Sequence, residues 1–171
     1  MKTVKATESA AAGADHHRFM TQAMLEARKA ADIREVPVGA VIVFKNRIIA
    51  RGHNQVELLS DPTAHAEMIC LSAAYGYLGE KYLVDCTMYV TLEPCPMCAG
   101  ALVWSKLGKL VFGAQDEKAG ACGSLFNIAA HQSLNHRIEI LHGIMELESE
   151  ALIQSFFKRL REESQPGQSG R

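Results

Sequence analysis

The chain of 171 residues has the length of one domain, enough to bury a sizeable core. Apolar residues at 48% and charged residues at 22% describe an ordinary globule and exclude wholesale disorder. Eighteen Lys and Arg against 19 Asp and Glu leave a net charge of −1, which excludes a basic coat for non-specific nucleic-acid binding but not a local basic patch. No run of about 18 apolar residues predicts a membrane span. The opening residues MKTVKATESAAAGADHH lack the apolar core of a signal peptide, so a cytoplasmic location is expected. Five cysteines (Cys70, Cys86, Cys95, Cys98, Cys122) in a reducing compartment favour free thiols or metal ligands over a disulfide framework.

Residues 1–14, rich in small and polar residues, read as a flexible leader, and residues 162–171 as a flexible tail. The domain between them spans 15–161. Its first helix is predicted from Asp15 to about Ala31, with Phe19, Ala23, Ala27 and Ala30 on one stripe and Met24 beside them. VGAVIVF (38–44) is a buried strand and RIIARG (47–52) its hairpin partner. Asp61-Pro62-Thr63 supplies helix-start chemistry for a helix over about 64–75, with Gly76 and Gly79 ending it. CTMYVTL (86–92) is a third strand, and Pro94 opens a helix to about Lys106. KLVFGA (109–114) is a fourth strand. A long loop with a short helix near 124–131 leads to a fifth strand over 137–141 and a terminal helix over 146–161. Strands joined through helices predict an α/β fold, a three-layer α/β/α sandwich with a mixed five-stranded sheet.

Two short segments carry chemistry. His65-Ala66-Glu67 opens one helix, and Pro94-Cys95-Pro96-Met97-Cys98 opens another. Cysteines at i and i+3 share a helix face, and at a helix start both favour the thiolate. One histidine with two cysteines suits zinc, and three protein ligands rather than four leave a position open for water, the catalytic arrangement. Water activated in that way needs a base, and Glu67 is the candidate. Residues i and i+2 point apart on a regular helix, so this assignment requires an irregular first turn. Taken singly, Cys-x-x-Cys could be a redox pair, His65 a structural histidine and Glu67 a solvated helix residue. Taken together, H-x-E followed by P-C-x-x-C is the pattern of zinc-dependent nucleobase deaminases.

Beyond that motif, REVPVGAVIV (34–43), GHN (52–54), DPTAHAEM (61–68), TLEPCPMCAGAL (91–102), VFGAQDEKAGACGSLFN (111–127), NHRIEI (135–140) and SFFKRLR (155–161) occur in the order seen in bacterial tRNA-specific adenosine deaminases. The chain resembles that family over roughly Asp15 to Arg161. The resemblance implies the cytidine deaminase-like form of the sandwich, one Zn2+ per subunit on His65, Cys95 and Cys98, and Glu67 as proton shuttle. It implies a substrate site of Asn54, Val36, Pro37 and Ala66, with Asp116 and Phe156 on the flanking nucleotides. It further implies Lys118, Lys158, Arg159 and Arg161 as RNA backbone contacts, a homodimer, and conversion of the wobble adenosine in a tRNA anticodon loop to inosine. Gln115 departs from the family pattern, where a charged residue is common.

The residues themselves leave alternatives open. A deaminase of free guanine, cytosine or cytidine would share the metal motif and have no need of SFFKRLR. A non-catalytic zinc-stabilised RNA-binding module would need a fourth protein ligand. SFFKRLR places three cations and two aromatics together, which suits phosphate contact and base stacking. It is equally an amphipathic helix with a solvated cationic face. Cys70 and Cys86 read as small buried residues, Cys122 as an exposed residue of a Gly-rich loop, and Trp104 as core or dimer contact.

Overall fold

The structure, a computed structural model, describes residues 10–164. The order is α1 (Ala10–Asp32), β1 (Gly39–Phe44), β2 (Arg47–His53), α2 (Val56–Leu59), α3 (Ala66–Leu78), β3 (Cys86–Leu92), α4 (Pro96–Trp104), β4 (Lys109–Ala114), β5 (Glu139–His142) and α5 (Glu146–Glu163). The five strands form one sheet in the order β2-β1-β3-β4-β5. β1 runs antiparallel to both β2 and β3, and β3, β4 and β5 are mutually parallel. The parallel pair β3/β4 needs a crossover, and α4 supplies it.

Both faces of the sheet are buried, and the strands alternate between them as a pleat requires. Ala40, Ile42, Met88, Val90, Leu110 and Phe112 pack with Cys70, Leu71 and Ala74 of α3 and Ala99 and Leu102 of α4. Val41, Val43, Tyr89 and Val111 point the other way, onto Phe19, Met20 and Ala23 of α1. The predicted α1 stripe is buried throughout. α5 lies beside α1 and over β4, anchored by buried Ser149 and Phe156.

Several boundaries differ from the sequence reading. α1 starts at Ala10, five residues earlier than predicted, because Ala10, Ala11 and Ala12 have the highest helix propensity of any residue. The remainder of the expected leader, residues 1–9, and residues 165–171 of the expected tail lie outside the described residues, while residues 162 and 163 continue α5. α3 runs through Gly76 and stops at Gly79, which takes the left-handed conformation (φ 67°). Pro96, not Pro94, opens α4. No helix forms over 124–131. There the backbone bonds close turns instead: Leu125 and Phe126 N–H to Gly120 C=O, and Ile128 N–H to Ala121 C=O. These turns also bury Cys122 rather than exposing it. The one-turn helix α2 carries no periodic signal, and β5 is shifted to 139–142. Among the described residues no helix is long and apolar enough to cross a membrane.

Candidate active site

The topology gathers four chain segments at one edge of the sheet. Because β1 is antiparallel to its neighbours, its entry (Val36–Val38) lies beside the exits of β2 (Asn54), β3 (Glu93) and β4 (Asp116). Ligands of α/β sheets sit at such strand ends, where the strand order reverses. Here they border a cleft of about 550 Å³ lined by Val36, Asn54, His65, Glu67, Glu93, Cys95, Asp116, Phe156, Phe157 and Leu160 among others.

Two helices start in this cleft. His65 is the N-cap of α3 and is extended (φ −73°, ψ 154°), while Cys95 is the N-cap of α4 and is also extended (φ −70°, ψ 172°). This backbone change resolves the difficulty of the i, i+2 spacing. His65 lies just outside the helix, so its side chain and that of Glu67 can face the same point. The His65 Nδ1 atom stands 3.7 Å from Cys95 Sγ and 3.6 Å from Cys98 Sγ. The three ligand atoms lie within 4.8 Å of one another, a group that could hold a metal ion. Both helix N-termini point their partial positive charge here, which favours anionic sulfur and oxygen.

The titratable groups respond to this crowding. Burial pushes the Glu67 carboxyl up to about 7, and the nearby Cys95 sulfur adds to that, while its own backbone N–H and His65 oppose it. The Cys95 thiol is drawn down to about 4, chiefly by the Cys98 S–H, against the cost of burial and with help from His65. Cys98 is driven upward by the same contact and by burial. His65 is raised by its contact with Cys95. Without a cation the contact thus pulls Cys95 toward thiolate and Cys98 toward thiol, and a bound cation deprotonates a coordinating thiol outright.

Asn54 is 8% exposed and fixed at both ends. Its N–H donates to Val38 C=O, and its Oδ1 accepts the buried Ala66 N–H at 2.9 Å. The amide oxygen is therefore committed to the start of α3, which leaves the Nδ2 donor for the cleft. Gly52 makes this approach possible, since a Cβ there would stand 2.5 Å from Ala66 C=O and 2.9 Å from Cys70 N.

The expected site residues separate into three groups. Val36, Asn54, His65, Glu67, Cys95, Asp116 and Phe156 border the cleft, and Cys98 completes the ligand trio from the buried side. Pro37 and Ala66 are buried and absent from the cleft lining, Ala66 acting through its N–H. Lys118, Lys158 and Arg161 border an adjoining surface hollow with Phe157, and Arg159 is exposed elsewhere on α5. Sequence reasoning missed Glu35 and Glu93, both buried carboxylates lining the cleft. Glu35 accepts the Leu58 N–H at 2.8 Å and so holds α2. Burial raises the Glu93 pKa, but hydrogen bonds from the Ser124 hydroxyl and the Asp116, Ser124 and Cys122 N–H groups outweigh it and hold the carboxyl below the usual range. For Glu93 the available signal was an acid directly after β3 and beside the Cys-x-x-Cys motif; Glu35, between α1 and β1, offered none.

A His-Cys-Cys trio with a buried glutamate, at the starts of two helices on this sheet, defines a deaminase of the cytidine deaminase-like fold. The chain belongs to the MafB19-like deaminase family, whose model matches residues 14–161. It is 46% identical to the tRNA-specific adenosine deaminase of Bacillus subtilis over 84% of this chain and 89% of that protein. It is 49% identical to the tRNA-specific adenosine deaminase of Aquifex aeolicus over 84% and 94%. A solved structure from a study of A-to-I editing by tRNA:A34 deaminases at the wobble position matches with a TM-score of 0.76 and 41% identity, covering 79% of this chain and 98% of that one. These relatives place the chain among the tRNA-specific adenosine deaminases.

Proposed function

We propose that this protein hydrolyses the 6-amino group of the wobble adenosine in a tRNA anticodon loop, giving inosine and ammonia. The observation that carries the reading is the trio of ligand atoms beside a buried carboxylate. Zinc suits the trio. Bonds of roughly 2.3 Å to sulfur and 2.0 Å to nitrogen at tetrahedral angles separate the two ligand atoms by about 3.5 Å, against 3.6 and 3.7 Å here. Zinc bound there lowers the pKa of water enough for attack at neutral pH.

The chain's own residues do the rest. Glu67 takes one proton from the attacking water and gives it to the ring nitrogen beside C6, then takes the second from the new C6 hydroxyl and gives it to the departing amine. Its burial keeps bulk water from competing for that proton. The Asn54 Nδ2 donor holds the nucleoside, Val36 is an apolar wall for the purine, and Phe156 meets a flanking nucleotide. Asp116 has its Oδ1 occupied by the Lys118 and Ala119 N–H groups at 2.9 and 3.1 Å, so it meets a flanking nucleotide through its other oxygen. Lys118, Lys158, Arg159 and Arg161 receive the phosphates. A target in a loop can leave its stack at less cost than a paired base.

A second copy of the chain would cover the exposed Trp104 and Leu134, which share one hollow with the half-buried Ile128. Trp104 is 77% exposed and thus no part of the monomer core. A cytoplasmic location is part of the same proposal. The test is incubation of the purified protein with total tRNA and sequencing for inosine at the first anticodon position. Its appearance there is expected; ammonia release from guanine, cytosine or cytidine with none from tRNA would overturn the reading.

A further inference from the structure

The 24 residues between Ala114 and Glu139 contain no helix or strand, only the isolated bridge between Cys122 and Asn127. Connections of that length within a compact domain are uncommon unless they are functional. This one has an anchor. Glu93 follows β3 directly, and its N–H still pairs with Ala114 C=O at 2.8 Å. Its carboxylate reaches into the loop and collects four donors. Oε1 accepts the Cys122 N–H at 2.9 Å and the Ser124 N–H at 3.0 Å. Oε2 accepts the Asp116 N–H at 3.0 Å and the Ser124 hydroxyl. One further bond runs in parallel, from Ala121 N–H to the neighbouring Pro94 C=O at 2.9 Å. The loop is therefore stitched to the two residues that precede Cys95.

The packing around the carboxylate is equally specific. A Cβ at Gly120 would stand 2.4 Å from Glu93 Cδ and Oε2 and 2.5 Å from Asp116 C=O. The loop can fold over this carboxylate only with no side chain at that position. Asp116 and Lys118 belong to the turn so formed, and Asp116 borders the cleft.

From this we infer that Glu93 is a positioning residue, whose buried carboxylate fixes the 116–124 loop and so sets how Asp116 grips the nucleotide next to the target adenosine. The inference rests on the function proposed above for the same site. It concerns recognition of the flanking base and leaves the metal and Glu67 untouched.

Glu93→Gln tests it with nearly the same shape. The Gln oxygen can still serve Cys122 and Ser124. Its NH2 then faces the Ser124 hydroxyl, which can turn to accept, and the Asp116 N–H, which cannot. Asp116 alone loses its acceptor. The zinc-loaded variant is expected to keep the wild-type metal content. Its KM for an anticodon stem-loop should rise about tenfold, the scale of one hydrogen bond to a charged group, with kcat within about threefold. Discrimination between stem-loops that differ at the flanking base should shrink by a similar factor. Hydrogen exchange should speed at the Asp116 amide and stay unchanged in α4, a readout independent of activity. Gly120→Ala presses on the same carboxylate without changing its chemistry and should raise KM in the same way, including if Glu93→Gln fails to fold. Wild-type KM and flanking-base preference in both variants would overturn the inference, as would loss of metal in step with activity. Failure of the wild-type protein to act on the stem-loop would instead refute the proposed function.

Discussion

Gly52 and Gly76 make a paired experiment on one helix. A methyl group at position 52 stands 2.5 Å from Ala66 C=O, and ordinary contact begins at 3.4 Å. Helix α3 must then retreat from β2 by about 0.9 Å, because the obstructing atoms are backbone. The retreat moves His65 and Glu67 together and pulls the Ala66 N–H away from Asn54. Overpacking of this kind costs about 1–3 kcal/mol. A misplacement near 1 Å at the reacting groups costs about a hundredfold in rate. At position 76, in the body of the same helix, an added methyl meets nothing within 4 Å. Gly76→Ala gains helix propensity and should stabilise by about 0.5–1 kcal/mol. The assay is thermal unfolding alongside kcat/KM on an anticodon stem-loop. Gly52→Ala should melt lower and lose about two orders of magnitude in kcat/KM. Gly76→Ala should melt higher at wild-type activity. A Gly52→Ala protein with normal kcat/KM would refute the claim that this contact sets the position of His65 and Glu67.

Three further outcomes follow from the geometry. In the metal-free protein the Glu67 carboxyl is raised from 4.5 to about 7, so the folded state holds a proton that the unfolded chain releases, and stability falls as pH rises across that window. Glu67→Gln escapes this penalty, and chemical denaturation should find it about 3 kcal/mol more stable than wild type at pH 8 and equal to it near pH 4. Asn54→Ala leaves the Ala66 N–H without an acceptor and should lose about 1–3 kcal/mol together with activity; Asn54→Asp keeps an acceptor but no donor, so a melting curve should show the smaller loss while activity still fails. Replacing Lys158 or Arg161 by Ala should reduce the salt dependence of RNA binding by about 0.7 in log–log slope for each phosphate that is no longer neutralised, with kcat at saturating RNA unchanged.

The sheet and its flanking helices were legible because their signals are local and redundant. VGAVIVF and CTMYVTL can hardly be anything but buried strands, and the α1 stripe repeats at helical spacing. The clustering of His65, Cys95 and Cys98 into a group that could hold a metal was legible because each residue type is rare and the spacing restrictive. Glu93 and Glu35 were not, because a buried carboxylate looks like a surface one until its donors are known, and the donors of Glu93 come from a loop 23 to 31 residues away in the chain. The 124–131 segment misled for the same reason: its backbone bonds are set by turns closed on Gly120, which no periodicity reports. Phe156 and Phe157 are neighbours with different fates, one buried and one 41% exposed, and only the seating of α5 against β4 decides which.

His65 and Cys95 each occupy the residue at which the chain passes from extended to helical. A cation held there clasps two secondary-structure boundaries, so its affinity is a gauge of how well both helices begin. Substitutions that fray either first turn, even ones that touch no ligand atom, will register as faster release of the ion to a chelator. The centre thereby reports on the integrity of the α3–α4 layer as a whole.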